Sequence, residues 1–180
     1  MHKVKRWEAI IERLPRNIPI IGAEIGIKKG DTSYRLLQAR PMLTLIMVDP
    51  WEVPPAGSSY AKEADENALK PQKLHDTCYK QTLARVAFAG KRAVIYREYS
   101  ETVAKKIPDH SLYFAFLDGD HSYEGLSLDI DLWLPKIKPG GFLSGHDYQH
   151  PKLPGVKKAV DEVFKSVKLD VNRTWFVRVK

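Results

Sequence analysis

Two short stretches concentrate the side chains that can do chemistry. The first reads F-L-D-G-D-H-S-Y and crowds Asp118, Asp120 and His121 together. The second reads F-L-S-G-H-D-Y and sets His146 beside Asp147. Carboxylates and imidazoles gathered at two neighbouring points suit either a metal ion or proton transfer. Each set follows an apolar run, Leu112–Leu117 and Phe142–Ser144. Such runs form strands that are buried on both faces and deliver their last residues to the carboxyl edge of a sheet.

A third group lies earlier, in Glu24-Ile25-Gly26-Ile27-Lys28-Lys29-Gly30. It is a G-x-x-x-G loop with an acid just before the first glycine, not the G-x-G-x-x-G that seats a dinucleotide pyrophosphate. Gly26 and Gly30 permit positive φ and a close backbone approach by a ligand, and the helix that follows offers free N–H groups. The pattern suits a smaller ligand carrying an ammonium group and a ribose, with Asp49 at the end of the next strand placed to accept both ribose hydroxyls. Its bland alternative is a structural turn beside a solvated Asp49.

The elements that must position these groups follow from periodicity. Val4, Trp7, Ile11 and Leu14 predict an opening helix, within residues 1–16, that Pro15 stops. Strands are predicted over Ile18–Ile25, Leu43–Val48 and Ala93–Tyr96, and helices over Tyr34–Ala39, Leu74–Ala89 and Glu101–Ile107. Asp31-Thr32-Ser33 caps the first of these helices. After the central strand, Leu126, Ile130, Trp133, Leu134 and Ile137 mark one helix face, capped by Ser122 and stopped by Pro139-Gly140-Gly141. A last helix carries Val156, Ala159, Val160, Val163 and Phe164, and an antiparallel pair, Leu169–Val171 and Thr174–Val179, closes the chain. Strand, glycine loop, helix, strand is one βαβ unit. The expected class is α/β: a doubly wound, Rossmann-like, mostly parallel sheet with helices on both faces and an antiparallel last strand. Glu52–Gln72, rich in Pro, Gly, Ser and charge, reads as a lid insertion over the site.

Composition narrows the remaining classes. A length of 180 residues with 43% hydrophobic content predicts one domain, 1–180, with a sizeable core. No apolar run approaches the roughly 20 residues of a membrane span, so no membrane partner is expected. The basic N-terminus is not followed by an apolar segment, and Cys78 is alone, which excludes an internal disulfide; both point to the cytoplasm. The formal charge of +7 fits a solvated basic surface or an anionic partner such as nucleic acid. The charges are spread and no nucleic-acid motif accompanies them, which favours the solvated surface.

On these residues the chain resembles the class I S-adenosylmethionine-dependent methyltransferases. It is most similar to the small-molecule branch that includes macrocin- and mycinamicin-type sugar O-methyltransferases and cephalosporin-hydroxylase-like proteins. The resemblance is carried by A-E-I-G-I-K-K-G-D-T-S, I-M-V-D-P-W, F-L-D-G-D-H-S-Y-E-G, L-P-K-I-K-P-G-G-F-L-S-G-H-D-Y and G-V-K-K-A-V-D-E-V-F. It implies S-adenosyl-L-methionine as cosubstrate, with Glu24 and Gly26 at its methionine end, Asp49 at its ribose and Ser100 at its adenine. The reactive carbon would face Asp118 and His121. Trp51 either packs on the adenine or ribose or belongs to the core. The resemblance further implies a small-molecule hydroxyl as acceptor, His121 as the base, and Asp118, His146 and Asp147 as ligands of a divalent cation, magnesium or another. A homo-oligomer is compatible with it. One departure stands out: relatives place two oxygen ligands where this chain has His146-Asp147. Either the metal differs from magnesium, or His146 is a base, or there is no metal. Two other readings stay open: transfer to nucleic acid or protein, and a cosubstrate-binding module without transferase activity.

Overall fold

In a computed structural model the structure describes residues 5–63 and 68–180. A sheet of seven strands runs in the order β3-β2-β1-β4-β5-β7-β6. Its members are β1 (Ile20–Ile25), β2 (Leu43–Val48), β3 (Ala93–Tyr96), β4 (Leu112–Leu117), β5 (Ile137–Gly145), β6 (Lys168–Asp170) and β7 (Thr174–Arg178). The first five pair in parallel, and β7 is antiparallel to both β5 and β6. The expected class is therefore the observed one.

The strands are apolar throughout because both faces are covered. On one face α1 (Arg6–Arg13), α2 (Asp31–Ala39) and α4 (Gln72–Val86) bury Ile10, Leu36, Leu37 and Val86 against Leu45, Met47, Phe114 and Phe116. On the other, α5 (Ser100–Ala104), α6 (Tyr123–Trp133) and α7 (Pro154–Val163) bury Val103, Ile130, Trp133 and Val160 against Ala23, Ala115, Leu117 and Leu143. Alternate residues of β1 and β4 thus feed separate cores, as the two-residue period of a strand requires. A short helix, α3 (Ser59–Glu63), lies in the segment between β2 and α4.

The sheet reverses its winding at β1, whose neighbours are β2 and β4. Beyond the carboxyl ends of such a pair the crossovers diverge and leave a crevice. The tips here are stitched across the sheet: Gly26 N–H donates to Val48 O at 2.8 Å, Asp118 N–H to Ile25 O at 2.8 Å, and His146 N–H to Leu117 O at 3.2 Å.

Three expectations need correction. Asp31-Thr32-Ser33 does not cap α2 but forms its first turn, and Gly30 is the N-cap. Ile137 belongs to β5, paired with Leu112, rather than to the helix before it. Its spacing from Leu134 fits a helix, but Pro135 ends α6 in a 3-10 turn over Leu134–Lys136. Pro139-Gly140-Gly141 does not stop that helix; it lies inside β5, where the register against β4 shifts between Leu112 and Phe114. At Gly141 a Cβ would lie 2.4 Å from Tyr113 O, so the bulge requires glycine.

Candidate active site

Glycine closes the crevice floor. Gly26 has φ 86°, and a Cβ there would lie 2.2 Å from Asp118 O. Only a residue without a side chain lets the β1 tip lie against the β4 tip. Gly30, with φ 73°, is the left-handed N-cap of α2 and packs against Thr82. It shapes the loop but does not line either of the cavities described below.

Asp49 buckles this loop from the tip of β2. Its Oδ2 accepts from the N–H groups of Ile27 and Lys28, both at 2.9 Å, and its Oδ1 accepts from Trp51 N–H at 2.6 Å. A carboxylate offers about four lone-pair sites. Three are occupied by backbone N–H groups. Burial pushes the Asp49 carboxyl up, against the pull of those three backbone hydrogen bonds. Trp51 is 1% exposed, packs its ring against Tyr79 in a tilted pair with centroids 4.8 Å apart and donates its indole N–H to Lys28 O at 2.8 Å. Its ring is committed to the core, while the residue still forms part of a cavity wall.

Glu24 sits beneath the loop, 1% exposed, and accepts a hydrogen bond from Ser33 Oγ at 2.5 Å. Burial pushes its carboxyl up to about 8, against the opposing hydrogen bond from Ser33 and the charge of Arg6. It is therefore a neutral acid at neutral pH, until a cation arrives.

Two cavities open from the crevice. The larger, about 640 Å³, runs past Asp49, Trp51, Tyr60, Ser100 and Asp129. The smaller, about 340 Å³, is walled by Arg6, Glu24, Asp118, His121, His146 and Asp147. They meet at Gly26, Asp118 and His121.

At that junction the two strand tips converge. His121 Nε2 lies 3.5 Å from Asp118 Oδ1 and 3.4 Å from Asp147 Oδ2. His146 Nδ1 lies 3.6 Å and 3.1 Å from the same two oxygens. Burial raises the Asp147 carboxyl, but the hydrogen bond from His146 and the charges of His146, His121 and His150 bring it below the ordinary carboxylate range. Asp118, His121 and Asp147 each bring one ligand atom within 4.8 Å of the others. The sequence assigned His121 to proton transfer and His146 to the cation; the structure sets both imidazoles against the same carboxylate pair. Asp120 lines the larger cavity and accepts from Ser122 N–H at 2.8 Å at the start of α6.

Ser100 does line the larger cavity, but its hydroxyl is engaged internally. It donates to Asp129 Oδ1 at 2.5 Å and accepts from Trp133 Nε1 at 2.7 Å. Burial pushes the Asp129 carboxyl up to about 7.

Three contributors escaped sequence reasoning. Arg6, from α1, forms an ion pair with Asp118 Oδ2 at 2.7 Å. Asn172, in the turn before β7, has its Nδ2 3.2 Å from His146 Nε2. With Asn172 donating, that nitrogen is the acceptor, and the His146 proton sits on Nδ1, facing Asp147. Asp129 reads in the sequence as one polar position of an amphipathic helix. Proximity to Ser100 across the fold is the only signal that could have marked it.

Comparison with known proteins identifies the family and the fold. A methyltransferase-domain family model matches residues 23–148. The fold and the matched span define a class I S-adenosylmethionine-dependent methyltransferase. The chain belongs to that methyltransferase-domain family. Among solved structures, the O-methyltransferase NovP superposes with a TM-score of 0.70 at 18% identity, over 97% of this chain and 80% of NovP. The calicheamicin methyltransferase CalS11 gives 0.70 at 15%, over 96% and 76%. TomG, an O-methyltransferase of Streptomyces achromogenes solved with S-adenosylmethionine, gives 0.59 at 14%, over 97% and 78%. At such identities the three share the fold. No curated protein matches the sequence significantly.

Proposed function

We propose that the protein transfers the methyl group of S-adenosylmethionine to a hydroxyl of a small molecule, with His121 as general base. The observation that carries this reading is the junction itself. Two carboxylates and two imidazoles stand where a cavity sized for a nucleoside meets a smaller one ending at Glu24. The nucleoside occupies the larger cavity, with one ribose hydroxyl on Asp49. The amino-acid end lies against Gly26, where its ammonium takes the place of the proton on Glu24. The sulfonium methyl then points at the junction.

Transfer is an in-line displacement, so the acceptor oxygen must approach from behind the methyl carbon. His121 Nε2 accepts the hydroxyl proton as the O–C bond forms and the C–S bond breaks, and the sulfur leaves with the electron pair. Asp118 Oδ1 and Asp147 Oδ2, each within 3.5 Å of His121 Nε2, stabilise the imidazolium so formed. The donor set of Asp118, His121 and Asp147 fits a cation that tolerates nitrogen, such as manganese, iron or zinc, better than magnesium, and with that ion in place His121 would be its ligand instead of the base. Such a cation, held there, would lower the pKa of a coordinated hydroxyl.

Residues 52–72 border the larger cavity through Glu52, Pro55, Ser58 and Tyr60, as a lid would. The ends of the segment are clasped by Gln72, which donates to Trp51 O at 2.8 Å and accepts from Val53 N–H at 3.2 Å. The part of the lid expectation that falls on residues 64–67 lies outside the described residues.

The test combines calorimetric titration with S-adenosylhomocysteine and label transfer from methyl-labelled S-adenosylmethionine to nucleotide-linked hexoses and catechols. The wild type is expected to bind one equivalent. His121→Ala should keep that affinity within about threefold and lose at least about a hundredfold in transfer rate. Failure to bind S-adenosylhomocysteine defeats the reading. Binding with no transfer to any acceptor would mark a binding module instead.

A further inference from the structure

Asp118 already has a cation. The guanidinium of Arg6 reaches over from the first turn of α1 and places Nη1 2.7 Å from Asp118 Oδ2. The two side chains are 29% and 11% exposed, so solvent screens the pair only partly. The same guanidinium lowers the Glu24 carboxyl, so its charge is felt across the smaller cavity. The other Asp118 oxygen is the one that faces His121 and His146. A divalent ion bound there would share one carboxylate with a fixed positive charge.

We propose that Arg6 and a divalent cation are competing counter-ions of Asp118, so that the first turn of α1 controls whether the junction takes a metal. Two like charges on one partly buried carboxylate repel strongly, because the local dielectric is far below that of water. The far end of α1 cannot yield. Arg13 bonds Asp170 Oδ2 at 2.6 Å, and Arg40 donates to Ile11 O and, at 3.2 Å, to Leu14 O. The near end can yield, since the hydrogen bond from Lys5 N–H to Glu8 Oε2 at 2.6 Å is exposed. Metal loading therefore displaces Arg6 and frays one turn, and by linkage, loss of Arg6 strengthens metal binding by the same factor.

This inference rests on the junction being competent for a cation. Its test measures metal binding alone, so a failure of methyl transfer would not decide it. Manganese is titrated into the intact chain and free ion is followed by electron paramagnetic resonance. Arg6→Gln is expected to bind manganese about tenfold tighter than wild type or better, and Arg6→Lys within about threefold of it. In the wild type, saturating manganese should raise amide hydrogen exchange over residues 8–10, whose N–H groups bond back into the first turn, and leave residues 11–13 unchanged. Equal manganese affinity in wild type and Arg6→Gln, including no binding by either, overturns the proposal. So does unchanged exchange at the start of α1 in the manganese-loaded wild type, a measurement that needs no variant to fold.

Discussion

Glu24 is the residue whose chemistry is most changed by the fold. An exposed glutamate would be ionised at neutral pH, but burial raises this one to about 8. A ligand ammonium must therefore displace a proton. Observed affinity follows the ionised fraction, so S-adenosylhomocysteine should bind roughly 50-fold more tightly at pH 8 than at pH 6. Titration in buffers of different ionisation enthalpy should show proton release on binding. Glu24→Gln should remove both the proton release and the pH dependence, and weaken binding by about 10- to 100-fold through loss of a charge-assisted hydrogen bond. A pH-independent affinity in the wild type would mean that the ammonium does not reach Glu24. The sequence pointed to Glu24 because the acid precedes a glycine loop, a local pattern. It could not show that Asp49 accepts from the loop N–H groups of Ile27 and Lys28, because those two partners lie more than twenty residues away.

At the scale of elements, legibility divides along the same line. Leu43–Val48, Ala93–Tyr96 and Leu112–Leu117 were bounded by their own apolar runs and appear unchanged as β2, β3 and β4. Ser122 was identified as a cap from its position alone, and its hydroxyl accepts from Gly125 N–H at 3.1 Å. Errors came where periodicity ran past a break. Ile137 continues a helical spacing, yet the chain has already turned at Pro135 into β5. Arg6 and Asn172 reach the site from elements distant in sequence, and no spacing rule connects them to Asp118 or His146. The contact between the β1 and β4 tips yields a sharp prediction. Gly26→Ala puts a methyl group 2.2 Å from Asp118 O at a left-handed backbone position. Strain and overpacking together should cost about 3 kcal/mol, read as a lower urea midpoint, and S-adenosylhomocysteine binding should be lost. A stability near wild type would show that the tips can separate.

For the whole molecule, two buried acids shape the pH response of the unliganded protein between neutral and mildly alkaline pH. Glu24 and Asp129 have folded values near 8 and 7, above their ordinary ones, so the native state holds protons that the unfolded chain releases. Stability contributed by these groups is complete below the unfolded values and falls as pH rises towards the folded ones, by up to about 1.4 kcal/mol per pH unit for each. Melting temperature should therefore drop by several degrees between pH 6 and pH 8.5, at about 2–4 °C per kcal/mol. Glu24→Gln and Asp129→Asn should each flatten the curve, and a flat or rising wild-type curve would contradict the assignment.

The latch between Arg13 and Asp170, with the same guanidinium 3.8 Å from the Phe176 ring, joins the earliest helix to the latest hairpin. Arg6 and Asn172 enter the junction from either side of that latch. During synthesis, the strands that carry Glu24, Asp49 and Asp118 can pair and the first helix can dock on α2 before the hairpin exists, yet the latch from Arg13 cannot close until Asp170 leaves the ribosome. The crevice acids are thus in place early, and Asn172 is the last side chain to reach the junction.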